Sequence, residues 1–478
     1  MIIYARLVIA FFIAFVLVNS LVLMLAAGEV RRYAARANTS SLRQMIRSPL
    51  TPPISVLVPA FNEARGIVDS VRSLLALDYP QIEVIVISDG STDDTVQRLV
   101  AAFELRTVPR PTPPFLRHAP VRAVYLPRSG LRMLVIDKEN GGKADSLNAG
   151  INFASYPLFR TLDADSILEQ DALAKAAMPF VEDPDRTVAA GGMVRIANGC
   201  VIERGRVMEA HLPGSRLAMF QVVEYVRGFF GTRTGWSAIN ALLIVSGAFG
   251  LFRRDMVIAA GGYRTGIVGE DLELIVRLHR TCRAARRPYR IVYVPDPVCW
   301  TEAPEQARFL RRQRARWYRG CVETLLIHRG MIANPRYRAV GLLALPAMLL
   351  FEVLGPLIEL SGYLVTLVAV LLGTLAPLTF VLFLAVSVLY GQVLTIGAVT
   401  LEDATPGRHA AWDELARMRR YAWAENVGFR QVLQAWRLVG LWQLVRKSGW
   451  GQMERVGLSG QASAPITDSA DGNGIKAP

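Results

Sequence analysis

The sequence predicts an α/β domain, built on a mostly parallel sheet with helices on both faces, joined to membrane-crossing and interfacial α-helices. Three observations carry this expectation. Short β-branched runs alternate with segments of helical periodicity between residues 54 and 161, the pattern of strands linked by helical crossovers. An uncharged run, LVIAFFIAFVLVNSLVLMLAA, fills Leu7 to Ala27, and about 20 such residues suffice to span a bilayer. A second apolar block runs from about Val340 to Thr400, interrupted near Gly373–Pro377, enough for two further spans.

Each element follows from its local pattern. ISVLVPA (54–60) reads as a strand. The helix after it is signalled by Ile67, Val71, Leu74 and Leu75 at helical spacing. IEVIVISDGS (82–91) is a second strand ending in Asp89-Gly90. TDDTVQRLVAAF reads as a helix capped by Thr92. AVYLP or MLVID supplies another strand, GGKADSLNAGINFA a glycine turn into a helix, and LFRTLDAD a further strand. In such sheets ligands bind beyond the carboxyl ends of the strands. Asn62-Glu63, Asp89 and Asp163-Ala164-Asp165 all fall at such ends.

Charge and hydropathy frame the rest. Hydrophobic residues make up 52% of the 478, with mean hydropathy +0.29, high for a wholly soluble protein. A cleaved signal peptide would have a shorter apolar region, and the arginines after Gly28 favour an anchor. Arg31, Arg32, Arg36, Arg43 and Arg47 follow the first run. Arg336 and Arg338 precede the second block, and Arg408, Arg417, Arg419 and Arg420 follow it. The positive-inside rule puts all three groups in the cytoplasm if the N-terminus is outside. Glu352 and Glu359 lie in the apolar block, where carboxylates must face protein or water. They read as a buried structural pair, hydrogen-bonded within a helix bundle, or as groups with a direct role in transport. The net charge is +14 with pI near 10.0. Much of that excess flanks the apolar segments, where anionic headgroups account for it, so membrane lipids are expected partners. No zinc spacing or RNP-like motif supports a nucleic-acid partner. Cys200, Cys282, Cys299 and Cys321 have no paired short spacing and read as reduced core residues.

Asp163 and Asp165 pose a chemical question. On a strand, residues i and i+2 share a face, and two such carboxylates repel. A divalent cation removes the repulsion, and Mg²⁺ or Mn²⁺ prefers oxygen ligands. The simpler alternative is a turn, with one aspartate capping a helix that starts near Leu168.

In this setting the chain resembles the family 2 glycosyltransferases, in particular their membrane-integrated branch of cellulose, hyaluronan and poly-N-acetylglucosamine synthases. The matching pieces, in the family's order, are VPAFNE (58–63), SDGSTDDT (88–95), NGGKADSLNAG (140–150), DAD (163–165), SGAFGLFRR (246–254), GED (269–271) and QRARW (313–317). The resemblance implies a GT-A nucleotide-sugar-binding fold, a UDP-sugar donor and inversion at the anomeric carbon. It implies donor contacts from Asn62, Glu63, Asp89, Lys143, Asp163 and Arg316, with Glu63 able to serve only its loop. Asp163 and Asp165 would hold Mg²⁺ or Mn²⁺, Asp165 foremost. Asp271, with Glu270 beside it, matches the catalytic base, although acidic residues also suit a helix N-terminus. Gly269 stands where cellulose-type enzymes often have threonine. Gly247, Gln313 and Trp317 would meet a glycan acceptor. The other arginines near that motif, Arg308, Arg311, Arg312, Arg314 and Arg319, read as snorkelling side chains on a membrane-surface helix.

The expected organisation is a membrane helix in 1–30, a linker in 31–51, the GT-A domain in 52–335, two membrane helices in 336–400, interfacial helices in 401–456 and a disordered tail in 457–478. The expected activity is processive, inverting transfer from a UDP-sugar to a growing polysaccharide at a bacterial inner membrane, coupled to export, with secretion or accessory subunits as further partners. A non-processive enzyme acting on a lipid acceptor and a catalytically idle membrane scaffold or receptor are the alternatives.

Overall fold

The computed structural model describes residues 2–36, 39–163, 166–203, 205–405 and 412–446. Its strands are β1 (Ile54–Ala60), β2 (Ile82–Asp89), β3 (Leu105–Thr107), β4 (Val121–Pro127), β5 (Met133–Lys138), β6 (Leu158–Thr161), β7 (Ile167–Leu168), β8 (Thr187–Ile196), β9 (Val201–Glu203), β10 (Arg206–Glu209), β11 (Gly250–Arg253) and β12 (Arg290–Thr301). Ten of them form one sheet in the order β3-β4-β5-β2-β1-β6-β11-β8-β12-β7, and β9 and β10 make a separate hairpin.

The central strands are buried on both faces. Val56 and Val58 of β1 join Val84 and Val86 of β2 in one core, while Leu57, Ile85 and Ile87 point into the other. That alternation with no polar face explains the near-continuous apolar reading of both strands. The helices Ile67–Leu75 and Thr95–Phe103 cover the first core through Ile67, Val71, Leu74, Leu99 and Phe103. Lys143–Phe153 and Glu270–Ala284 cover the second through Leu147, Ile151, Leu274 and Leu278.

The sheet departs from a mostly parallel arrangement. β5, β2, β1 and β6 run parallel, as do β8 and β12. β11 enters antiparallel between β6 and β8. It does so because the chain leaves β8 through the hairpin and the helical segment 216–238, then returns from the opposite end. AVYLP and MLVID are both strands, β4 and β5, paired antiparallel. Thr92 is not the helix cap. Asp94 stands at that position without a side-chain cap bond; Asp93 Oδ1 accepts from the Thr95 amide at 3.1 Å, and the Thr92 amide and hydroxyl both donate to Asn62 Oδ1, at 2.8 and 3.3 Å.

β6 ends at Thr161, so Asp163 lies in the following loop and the shared strand face does not apply to it. Ala164 and Asp165 lie outside the described residues. No helix starts near Leu168, which belongs to β7; the next helix begins at Ala172.

The N-terminal helix runs from Ile2 to Arg36. Among the described residues, its segment Arg6–Arg36 is the one helix long and apolar enough to cross a membrane, and Val340–Val353 with Gly355–Leu371, bent by 44°, makes at most a second. The helix Pro377–Asp403 follows the expected break. Close packing ties these segments to the α/β core. A Cβ on Gly235 would collide with the Val22 carbonyl of the N-terminal helix. A Cβ on Gly440 would collide with the Ala315 carbonyl, so the helix Arg430–Arg446 backs the helix Ala307–Ile327 rather than lying only at an interface. The expected tail, 457–478, lies outside the described residues.

Candidate active site

A glycine turn aims one cation. At the end of β2, Asp89 is 5% exposed and accepts from Lys138 Nζ at 2.6 Å and from the amides of Gly141 and Gly142 at 3.0 and 2.8 Å. Lys138 is itself fully buried and also pairs with Asp145 at 2.6 Å. Gly142 has φ +88°, a conformation that favours glycine. The turn starts the helix Lys143–Phe153 and sends Lys143 into a cavity. Asp89 thus organises the loop in this structure, and it makes no Asx-turn with Ser91, which bonds Ser88 at 3.1 Å. Asn62 (φ +58°) and Glu63 support the neighbouring loop: the Glu63 amide donates to Thr95 Oγ1 at 3.0 Å. Asn62, Glu63 and Asp89 are not part of the cavity lining.

The cavity has a volume of about 630 Å³. It brings together Lys143, Asp163, Gly247, Glu270 and Asp271 with Gln313, Arg316 and Trp317. Lys143 Nζ donates to Asp163 Oδ1 at 2.5 Å. Gly247 lies against both charges: a Cβ there would sit 3.1 Å from Lys143 Nζ and 3.7 Å from Asp271 Oδ2. Asp271 Oδ2 accepts from the Gly247 amide at 3.2 Å, and its Oδ1 from the Leu272 amide at 2.8 Å. Glu270 and Asp271 open the helix Glu270–Ala284, so the capping and the chemical readings hold together.

Electrostatics tie these groups into one unit. Burial pushes Glu270 up to about 7; Asp271 and Asp163 add to the rise and Lys143 opposes it. Burial works against the Lys143 charge, yet Asp163, Glu270 and Asp271 hold it above its ordinary value. The arrangement can bind a diphosphate at Lys143 and take a proton at a carboxylate facing it.

GED and QRARW meet through two glycines. A Cβ on Gly269 would lie 3.0 Å from Gly320 Cα, and one on Gly320 would lie 3.0 Å from Gly269 Cα. At Gly269 the Cβ of a threonine alone would force the facing Gly320 backbone to give by a few tenths of an ångström.

Two arginines of the QRARW helix do not snorkel. Arg314 is 2% exposed, pairs with Glu224 at 2.6 Å and stacks 4.3 Å from the centre of the Trp317 ring. Arg319 pairs with Glu323 at 2.7 Å. Arg308, Arg311 and Arg312 are exposed. The two carboxylates of the apolar block also part ways. Glu359 is buried, bonded by Tyr363 at 2.9 Å and Gln434 at 3.0 Å. Glu352 instead lines the cavity and pairs with Arg437 at 3.1 Å. Tyr225, Phe229, Arg233 and Arg437 are cavity residues that motif reading missed. The one local signal is EYVRGFFGTR, aromatic and basic residues interleaved. A second cavity, about 650 Å³ between Lys175, Asp296, Trp300 and Glu402, contains none of the motif residues.

Residues 55–258 match the family model described as glycosyl transferase family 2, and residues 158–394 match glycosyl transferase family group 2. The chain belongs to the family 2 glycosyltransferases. It is 31% identical over 274 residues to a poly-beta-1,6-N-acetyl-D-glucosamine synthase of Staphylococcus aureus, covering 57% of this chain and 55% of that one. The synthase of the same name from Staphylococcus epidermidis is 30% identical over the same length and shares. The chain thus spans about half the length of the curated relatives it matches. Among solved structures, a mannosyltransferase from Pyrobaculum calidifontis, in complex with GDP-Man and Mn²⁺, superposes with TM-score 0.51 at 18% identity, covering 90% of this chain and 100% of that one. That likeness is one of fold, and it agrees with the expected GT-A architecture.

Proposed function

We propose that the protein is a processive, inverting glycosyltransferase that adds sugar from a UDP-sugar to a growing polysaccharide at a bacterial inner membrane and couples synthesis to export. One observation carries the reading. A single cavity holds a cation suited to a diphosphate, Lys143, a carboxylate suited to a proton, Asp271, and an accessible ring suited to a sugar, Trp317, which is 41% exposed. The curated relatives named as poly-N-acetylglucosamine synthases favour N-acetylglucosamine as the donor sugar.

The chemistry follows from the placement. Asp271 accepts the proton of an acceptor hydroxyl as that oxygen attacks the anomeric carbon. The bond from that carbon to the diphosphate oxygen breaks on the opposite face, which inverts the centre. Lys143 and Arg316 receive the charge of the departing UDP, Arg316 through its planar fork. Trp317 stacks on the acceptor end, and Gln313 and Gly247 border it. Asp163 and Asp165 would hold Mg²⁺ or Mn²⁺, a Lewis acid for the leaving diphosphate. Among the described residues no group of three or more His, Cys, Asp or Glu side chains is placed to hold a metal, and Asp163 is paired with Lys143, so a cation there would need Asp165 and the diphosphate oxygens besides Asp163.

In this reading residues 52–335 form the catalytic domain in the cytoplasm. Residues 1–30 and 336–400 supply membrane helices, with the N-terminus outside. The purified protein, given UDP-N-acetylglucosamine and other UDP-sugars with Mg²⁺ or Mn²⁺, is expected to release UDP and form a polymer. A single sugar on a lipid would replace the processive reading, and no turnover of any donor would overturn it.

A further inference from the structure

Three cations in the cavity, Arg233, Arg314 and Arg437, have no task in the transfer chemistry above. Arg233 is 8% exposed and lines the cavity. Among the described residues it makes neither a hydrogen bond nor an ion pair; its guanidinium lies over the Phe229 ring, 3.8 Å from the centroid. Two other cavity arginines differ, since Arg314 pairs with Glu224 and Arg437 with Glu352. Burying a guanidinium without a carboxylate is unfavourable. Stacking on an aromatic face offsets part of this, and its N–H donors, unlike the Nε and Nη1 of Arg314, are not buried without a partner but remain open to the cavity.

The surroundings indicate which ligand would use them. Arg233 follows a π-helical stretch, Val226–Thr232, a rare geometry that recurs at functional sites. This stretch and the turn before it carry Phe229 and Tyr225, whose ring centroids are 4.5 Å apart. Tyr225 lies 6.4 Å from Trp317. Arg233, Phe229, Tyr225 and Trp317 therefore form a continuous wall. Burial pulls Arg233 down to about 10, with Tyr293 and then Asp271 opposing the fall, so the group is charged at neutral pH and within the field of Asp271. Five basic and six acidic side chains line the cavity. The donor diphosphate adds further negative charge, which disfavours an anionic acceptor and favours a neutral one rich in oxygen.

We propose that Arg233 binds the acceptor: its guanidinium donates to oxygens of a neutral terminal sugar that lies along the wall of Phe229, Tyr225 and Trp317 and turns its attacking hydroxyl to Asp271. The inference rests on the transferase reading of the same cavity and adds an acceptor subsite to it.

The test uses full-length protein in detergent, with a short β-1,6-linked N-acetylglucosamine oligomer as acceptor. Arg233→Met and Arg233→Lys are compared with wild type for acceptor KM, donor KM, acceptor-independent UDP release and thermal midpoint. Arg233→Met is expected to raise acceptor KM about tenfold or more, as for hydrogen bonds lost from a charged group. Donor KM and UDP release should stay near wild type. Arg233→Lys keeps the charge but not the fork, so it should fold where the Met variant fails, and should still raise acceptor KM. Unchanged acceptor KM in a folded variant overturns the inference alone. UDP release falling in step with transfer also overturns it, because that marks a structural role. Preference for a uronic-acid acceptor of equal length overturns the assignment to a neutral sugar. A wild-type protein that turns over no donor overturns the transferase reading, and this inference with it.

Discussion

Restoring threonine at Gly269 should damage the enzyme that resembles its threonine-bearing relatives. A Cβ on Gly269 would meet Gly320 Cα at 3.0 Å and Gly320 C and O at 3.2 Å, whereas ordinary contact begins at 3.4 Å. The obstructing atoms are backbone, so no flexible side-chain tip can yield. Threonine adds two more heavy atoms beyond that Cβ. The helix Ala307–Ile327 must move away, and Arg316 and Trp317 stand one turn before Gly320 on it. Overpacking of this kind costs about 1–3 kcal/mol. A displacement approaching 1 Å at reacting groups costs about a hundredfold in rate. Gly269→Thr is therefore expected to lower transfer by about ten- to a hundredfold and to lower the thermal midpoint. Gly320→Ala should reproduce the effect in milder form from the other side of the contact. Gly214→Ala, where a Cβ meets nothing within 4 Å, is the control. UDP release and glycan formation at equal protein level, beside a thermal melt, give the readout. Wild-type transfer and an unchanged midpoint in Gly269→Thr would refute the idea that these glycines set the spacing of the two motifs.

Asp271→Asn keeps shape and removes basicity, so transfer should be abolished while donor affinity, measured by titration calorimetry, stays within a few-fold; near-wild-type transfer would remove Asp271 as the base. Excess EDTA should stop UDP release, and added Mg²⁺ or Mn²⁺ should restore it; full turnover in chelator would exclude the cation from the proposal. Trp317→Ala should shorten the polymer and cut its yield by about tens of fold, taking aromatic stacking at about 1–3 kcal/mol, with donor hydrolysis little changed. Unaltered polymer length would make Trp317 an interfacial anchor. Arg314→Met, which frees Glu224 and unstacks Trp317, should move polymer length in the same direction by a smaller factor.

Much of the fold was legible because the central strands are buried on both faces. Ile54, Val56, Leu57 and Val58, with Ser55 the one polar member of that run, and Val84 to Ile87 are buried apolar residues on both faces, a pattern that few other structures explain. Strand direction was not legible: nothing local in GLFR distinguishes a strand entering antiparallel from one entering parallel. Thr92 can cap a helix, but a partner from another loop, Asn62, takes its hydroxyl, and the helix starts later, after Asp94. Within the site, Lys143, Asp163, Asp271 and Trp317 sat in short motifs whose residue types imply chemistry. Arg314 was misread because an arginine-rich helix conceals which member is buried until Glu224 stands opposite. Arg233 and Arg437 gain meaning only from the cavity they face.

Glu352 and Arg437 close the catalytic cavity from helices that lie outside the α/β sheet, and Gly440 presses one of those helices onto the QRARW helix. On the proposed function, the mould for the product would be cast in two pieces. The sheet and its loops would form the half that meets the nucleotide, and the helices outside the sheet the half that would shape the growing chain. Substitutions on those helices would then be expected to change chain length or linkage while donor binding stays intact. An excised α/β domain, by contrast, would be an open vessel, able to hold its donor yet lacking the side that steers the chain away.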